Sequence, residues 1–64
     1  MGDDSNYRET DQSVYGLTSR GAAESLQTLT ERGLKRLKQE EDYIIRIDEQ
    51  PGGTFDLIVL KRVN

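Results

Sequence analysis

The sequence predicts a small α+β domain, a (β)αββ mini-domain with a disordered N-terminal tail, a short candidate β-strand, one long amphipathic helix and a C-terminal β-hairpin packed on that helix. Two segments rich in large apolar residues flank a Pro-Gly-Gly turn near the C-terminus, as in a hairpin. Apolar residues recur at helical spacing in the middle of the chain. The first dozen residues hold no aliphatic side chain after Met1, which indicates a tail.

The hairpin strands are predicted over 43–48 and 55–60, on either side of the turn 50–54. Pro51 suits the second position of a type I turn, and Gly53 suits the left-handed conformation that closes a three-residue loop. This loop predicts a specific set of strand pairs: Gln50 with Thr54, Ile47 with Leu57, Ile45 with Val59 and Tyr43 with Lys61.

A two-residue type II turn at Pro51 and Gly52 is the alternative, and it would place Ile47 opposite Asp56. A shift of one residue moves every partner side chain to the other face of the sheet. We favour the three-residue loop because only this register gives one nearly pure apolar face, which we expect to pack on the helix. That face consists of Tyr43, Ile45, Ile47, Phe55, Leu57 and Val59.

The helix is predicted over 19–41, with Thr18 as its N-cap. Its apolar stripe falls within an arc of about 120° and consists of Ala22, Leu26, Leu29, Gly33 and Leu37, widened on one side by Ala23, Thr30 and Leu34. Gly33 in this stripe has two interpretations: a close approach of the helix to the sheet, or a break in the helix. We favour a continuous helix because the stripe keeps its phase across Gly33.

The N-terminal quarter of the chain gives two less specific predictions. Residues 1–12 are rich in Asp, Ser, Asn and Thr and bury too little apolar surface to offset the entropy of ordering. We therefore expect a disordered tail over 1–12 and a single domain over 13–64. Residues 14–17 form either a short edge strand or an extended lead-in beneath the helix, and both alternatives remain open.

The second face of the hairpin provides the main functional indication. In the favoured register, Ile44, Ile58 and Leu60 form an apolar cluster with Arg46 at its rim. This cluster has three interpretations: it is covered by residues 14–17, it is merely half exposed, or it is an interface. The third is preferred because exposed apolar patches on small proteins mark interaction sites. We expect a non-enzymatic protein-interaction or regulatory module, such as a bacterial or phage accessory protein, that binds a protein partner or itself as a homodimer. The predicted interface residues are Ile44, Arg46, Ile58 and Leu60.

Basic residues in the second half of the helix support an alternative function, that of a nucleic-acid-binding regulator. A cluster of this kind can contact nucleic-acid phosphates, and here it consists of Arg32, Lys35, Arg36 and Lys38. The whole chain has 12 acidic and 9 basic residues and a net charge of −3. This balance argues against indiscriminate nucleic-acid binding, so the protein-interaction hypothesis is preferred.

The composition offers little for catalysis, and we expect no enzymatic activity. The chain has no His and no Cys, which removes the usual general base, the thiol nucleophile and most transition-metal ligands. The acidic run at 40–42 lacks the alternation of a Ca²⁺ loop, and the Pro-Gly-Gly turn does not precede a helix. We predict no catalytic residue, cofactor or metal site. The lack of Cys, of a signal peptide and of a long apolar run favours a cytoplasmic protein without a membrane segment.

Overall fold

A computed structural model describes residues 6–63 of the chain. Its elements in chain order are β1 (Tyr7–Glu9), β2 (Val14–Leu17), α1 (Arg20–Arg36), a 3-10 turn (Glu40–Asp42), β3 (Tyr43–Glu49) and β4 (Phe55–Arg62). Within this range the strands form one antiparallel sheet of four, and α1 packs on it. The predicted α+β class is confirmed, and the N-terminal region adds two strands to the predicted hairpin.

Strand β4 is the centre of the sheet. One edge of β4 pairs with the whole of β3. The other edge pairs with β2 near the start of β4 and with β1 near its end, so β1 and β2 lie end to end. Leu57, Ile58 and Val59 of β4 are buried in succession. Because consecutive strand residues point to opposite faces, side chains on both faces of the sheet are buried at the centre of β4.

The connection between β3 and β4 has the predicted three-residue loop. The backbone N–H of Gln50 donates to the Thr54 carbonyl at 2.8 Å, and the N–H of Gly53 donates to the Gln50 carbonyl at 3.0 Å. Gly53 has a φ of 86°, a left-handed conformation that glycine adopts without steric cost. The predicted strand pairs are confirmed: Ile47 with Leu57, Ile45 with Val59 and Tyr43 with Lys61.

Strands β1 and β2 are the two parts of one interrupted strand. Between them, Asp11 and Gln12 form an exposed turn, and the residues on either side stay attached to Val59 of β4. Thr10 donates to the Val59 carbonyl from its N–H at 2.9 Å and from its hydroxyl at 3.0 Å. The N–H of Val59 donates to the Ser13 hydroxyl at 2.9 Å. Two polar side chains thus take part in holding β1 and β2 in line across the interruption.

The predicted disordered tail is wrong for the part of 1–12 that the structure describes. Tyr7–Glu9 is a strand, and the Asn6 carbonyl accepts a hydrogen bond from the Val63 N–H at 2.8 Å. Backbone pairing with β4 orders this segment, and such pairing needs no aliphatic side chain. Residues 1–5 lie outside the described range. Val14–Leu17 is a strand, which decides between the two alternatives for that segment.

Helix α1 is continuous through Gly33, as predicted, but both of its ends differ from the prediction. Ser19, and not Thr18, is the N-cap, and its hydroxyl accepts a hydrogen bond from the Ala22 N–H at 3.1 Å. An N-cap needs an extended backbone and a side-chain oxygen in reach of the first turn, and Ser19 has both. The helix ends at Arg36 instead of continuing to residue 41.

Lys38 ends the helix by adopting the left-handed conformation, with a φ of 59°. The N–H of Gln39 donates to the Leu34 carbonyl at 2.9 Å, and the N–H of Lys38 donates to the Lys35 carbonyl at 3.0 Å. These two bonds form a Schellman motif, in which glycine usually holds the left-handed position. Because a lysine stands there, the sequence lacks the glycine that would have marked the end of the helix.

Helix α1 faces the sheet with one flank of its apolar stripe. Ala23 and Leu34 are its buried residues, whereas Leu29 is 61% exposed and Leu37 is 64% exposed. The prediction that Leu29 and Leu37 belong to the centre of the core-facing stripe is therefore wrong. The contact with the sheet is made by Ala23 and Leu34, which were expected only to widen the stripe. The stripe is broader than the surface that the sheet offers, so one side of it stays in solvent.

The glycine in the stripe has no packing role within the described structure. Apart from the local helix backbone, no heavy atom lies within 4 Å of the position that a Cβ of Gly33 would occupy. The predicted close approach of helix and sheet at Gly33 is therefore wrong.

Gly33→Ala should stabilise the fold by about 1 kcal/mol, because alanine has the higher helix propensity and the added methyl group meets no neighbour. Urea denaturation measures this change. The same substitution at Gly53, where φ is 86°, should instead destabilise the fold. Loss of stability in Gly33→Ala would contradict the open environment described for this residue.

Ser19→Ala should cost about 1 kcal/mol of stability, because it removes the side-chain oxygen that caps the helix. Thr18→Ala serves as the control and should change the free energy of unfolding by less than about 0.5 kcal/mol. Equal losses in the two variants, measured by urea denaturation, would contradict the assignment of Ser19 as the N-cap.

Candidate functional site

The face of the sheet opposite the helix, here called the open face, carries the predicted interface. Leu34 of α1 lines a cleft with Tyr43 and Ile45 of β3, so the helix lies on the face to which these side chains point. Strand alternation and the observed pairing place a second set of residues on the open face. They are Tyr7 and Glu9 of β1, Tyr15 of β2, Ile44, Arg46 and Asp48 of β3, and Asp56, Ile58, Leu60 and Arg62 of β4.

Three of the four predicted interface residues are accessible on the open face. Ile44 is 41% exposed and lies directly opposite Leu60, which is half-buried, and Arg46 is exposed. Ile58 is only 7% exposed, because β4 has strands on both of its edges. Ile58 thus lies beneath this surface and supports it, while Ile44 and Leu60 form its accessible apolar part.

Tyr15 is a residue of the open face that sequence reasoning missed. Val14 lies opposite Leu57 and shares its face, so the next residue along β2 points the other way. Tyr15 is 59% exposed there. The alternation within 14–17 is the signal that could have found it, but only if this segment is taken as a strand beside β4.

Two arginines at the margin of the open face are held by carboxylates. The Arg46 Nε lies 3.4 Å from the Asp48 Oδ1, and an Arg62 guanidinium nitrogen lies 2.8 Å from the Asp42 Oδ1. Exposed ion pairs of this kind contribute only about 0–1 kcal/mol to stability. Their main effect is therefore to orient the arginines around the apolar part of the surface.

Asp56 lies directly opposite Asp48, and its carboxylate is bound by donors other than an arginine. It accepts hydrogen bonds from the Gly16 N–H at 3.0 Å and from the Gln50 side-chain amide at 2.9 Å. The first bond fixes a bulge of β2, in which Gly16 has a φ of 76°. These bonds connect β2 and the hairpin turn to β4 at the edge of the open face.

The basic residues of the alternative function lie on the helix and at its C-terminal end. All four are exposed: Arg32, Lys35, Arg36 and Lys38. In the described part of the chain none of them forms an ion pair, whereas Arg20, Arg46 and Arg62 each contact a carboxylate. Cations are favourable near a helix C-terminus because of the helix dipole, so this cluster also has a purely structural explanation.

Among residues 6–63, no three side chains of His, Cys, Asp or Glu are grouped so that they could hold a metal ion. No helix in that range is long and apolar enough to cross a membrane. Comparisons of the chain with protein-family models, curated proteins and solved structures find no significant match. Functional inference for this chain therefore depends on the surfaces just described.

Proposed function

We propose that the protein is a small non-enzymatic interaction module that binds another protein through its open face. The observation that carries this proposal is the one-sided cover of the sheet. The helix packs on one face, while the other presents Ile44 and Tyr15 to solvent beside half-buried Leu60. Apolar and aromatic side chains grouped in this way mark interaction sites on small proteins.

The composition of the open face suits a protein partner. Tyrosine and arginine are enriched in protein interfaces, and aromatic anchors near the centre supply much of the binding energy. Tyr15, Ile44 and Leu60 supply anchors of this kind, and Arg46 with its carboxylate partner Asp48 supplies a polar rim. Ile58 is buried beneath these side chains, and its backbone is held in place because β4 pairs with strands on both of its edges.

The area of a typical protein interface determines how much of the open face must contact the partner. A standard interface buries about 800 Å² on each partner, which is about one sixth of the 4738 Å² accessible surface of this protein. The pair of Ile44 and Leu60 is too small to supply that area. Binding therefore needs the neighbouring strands β1 and β2 as well, which adds Tyr7 and Tyr15 to the contact.

The proposal places the protein in the cytoplasm. The 64 residues include no Cys, whereas small domains of oxidising compartments are usually held together by disulfides. We propose that its role is regulatory or accessory, exerted through the protein that it binds.

Ile44→Lys and Leu60→Lys should each abolish binding through the open face, because a charge placed in the apolar centre must be desolvated on contact. Circular dichroism should show an unchanged fold for Ile44→Lys, since Ile44 is exposed. Light scattering across a dilution series measures self-association, and affinity capture from a cell extract compares the bound proteins. The matched control is Leu29→Lys, which changes a residue that is exposed on the helix.

The two readouts separate a foreign partner from a second copy of this chain. A wild-type monomer whose captured proteins are lost in Ile44→Lys and Leu60→Lys supports the proposal, whereas a wild-type dimer that these substitutions dissociate assigns the open face to self-association instead. If both variants keep the mass and the captured proteins of the wild type, while Leu29→Lys changes either, the open face is not the interface.

Within residues 6–63 the basic cluster forms no ion pair, which favours a second candidate, a nucleic-acid-binding regulator. Binding by Arg32, Lys35, Arg36 and Lys38 would neutralise phosphates and release counterions. The double variant Lys35→Glu and Lys38→Glu should then weaken binding strongly. The matched control is Arg8→Glu with Lys61→Glu, which makes the same charge change on the sheet.

Gel shift and fluorescence titration with duplex and single-stranded DNA at several salt concentrations test this candidate. Four phosphate contacts predict a slope of log affinity against log salt of about −3 to −4. An absence of binding at low salt, or equal losses in the test and control variants, rejects this function.

A further inference from the structure

A cleft separates the second half of α1 from the start of β3. Its volume is about 300 Å³, and it is lined by Glu31, Leu34, Lys35, Glu40, Tyr43 and Ile45. Leu34, Tyr43 and Ile45 supply the apolar lining, and the remaining three side chains form a charged rim. The volume is at the lower end of the range of ligand sites, which leaves room for a large aliphatic side chain.

The cleft runs beside an unpaired strand edge. Among the strands of residues 6–63, β3 pairs only with β4, so the other edge of Tyr43–Glu49 has no strand partner. Such an edge presents a row of backbone N–H and C=O groups that can pair with an added strand. Tyr43 and Ile45 belong both to this edge strand and to the wall of the cleft.

We propose that this α1–β3 groove, formed by the cleft and the free edge of β3, binds an extended peptide segment of a partner protein. The segment pairs with β3 through its backbone, and the side chains that it directs to the helix side enter the cleft. In this mode of recognition, main-chain hydrogen bonds supply affinity and a pocket for alternate side chains supplies specificity. An aliphatic side chain fits the apolar lining.

The charges around the groove define the rest of the ligand. Glu31 and Glu40 lie on the rim, and Glu41 follows in the 3-10 turn that leads into β3. In the described part of the chain these three carboxylates form no ion pair, whereas Asp42, Asp48 and Glu49 each pair with an arginine. Lys35 is the one cation of the rim. The preferred segment therefore carries lysine or arginine two residues away from its aliphatic residue, since side chains at this spacing share the face that points to the cleft.

The charge of Arg46 in β3 opposes a second copy of this chain as the occupant of the groove. Two copies of an edge strand related by a two-fold axis pair in antiparallel fashion. Centred on β3, this arrangement sets Arg46 against Arg46 of the other copy. Like charges directly opposite each other are destabilising. A segment of another protein that directs its basic residues to the helix side avoids Arg46, which points to the open face.

The α1–β3 groove is separate from the open face, because Tyr43 and Ile45 point to the helix side of β3 while Ile44 and Arg46 point to the other side. A partner can occupy the groove without covering Ile44 or Leu60. The inference therefore stands or falls independently of the proposed function.

The test uses the full chain and a synthetic probe, the peptide acetyl-Thr-Lys-Thr-Leu-Thr-Lys-Thr-amide, in which the leucine and both lysines share one face of the extended chain. Nuclear magnetic resonance titration should show chemical-shift changes centred on the amides of Tyr43–Glu49 and of Leu34. Two further peptides carry N-methyl groups on alternate residues, one set for each edge of the extended peptide. Since only one edge pairs with β3, one of the two should bind about tenfold more weakly and the other like the parent.

Charge reversal on the protein tests the choice of ligand. Glu31→Lys with Glu40→Lys should weaken binding of the basic peptide about tenfold. The matched control, Glu9→Lys with Glu24→Lys, changes the net charge equally at exposed positions outside the groove and should have a smaller effect. Leu60→Lys should bind the peptide as the wild type does, which separates this site from the open face.

Three results would overturn the inference. The first is no binding at millimolar peptide, and the second is a set of shift changes centred on the open face. The third is equal binding of the parent and both N-methylated peptides, which would reduce the interaction to general attraction between a basic peptide and an acidic protein.

Discussion

Strand β4 forms backbone hydrogen bonds along both of its edges, and Leu57, Ile58 and Val59 are buried at its centre. Buried backbone N–H and C=O groups need partners, so this central burial requires strands on both sides. The register against β3 then decides which side chains face α1 and which face away. The helix packing, the base of the open face and the free edge of β3 all follow from the central position of β4.

The hairpin could be predicted from the sequence because its determinants are local. Pro51 and Gly53 select the loop, the loop selects the register, and the register separates the two faces. The strand at Tyr7–Glu9 could not be predicted in this way, because pairing with β4 orders it and no aliphatic side chain marks it. The helix end was missed for a related reason, since Lys38 adopts a conformation that its residue type rarely takes.

The candidate surfaces show the same division between local and distant determinants. Alternation along β3 and β4 is enough to place Ile44, Arg46 and Leu60 on the face away from the helix. The burial of Ile58 depends on neighbours from the other end of the chain, and so does the position of Tyr15 beside β4. The exposure of Leu29 depends on the rotation of α1 about its own axis relative to the sheet. That rotation could not be predicted from the sequence, because the apolar stripe of α1 is wide enough for several orientations.

Strand β4 follows every strand with which it pairs, which constrains the order of events when the chain is made. As the chain leaves the ribosome, α1 can form at once, but β1, β2 and β3 have no strand partner in the described range until β4 emerges. The sheet then assembles between segments far apart in the chain, which is slower than forming local contacts. Until that moment the N-terminal segment is an unpaired strand, a state that favours aggregation when the residues are apolar. The polar composition of 6–12, which includes no aliphatic side chain, lowers that risk while this segment has no partner.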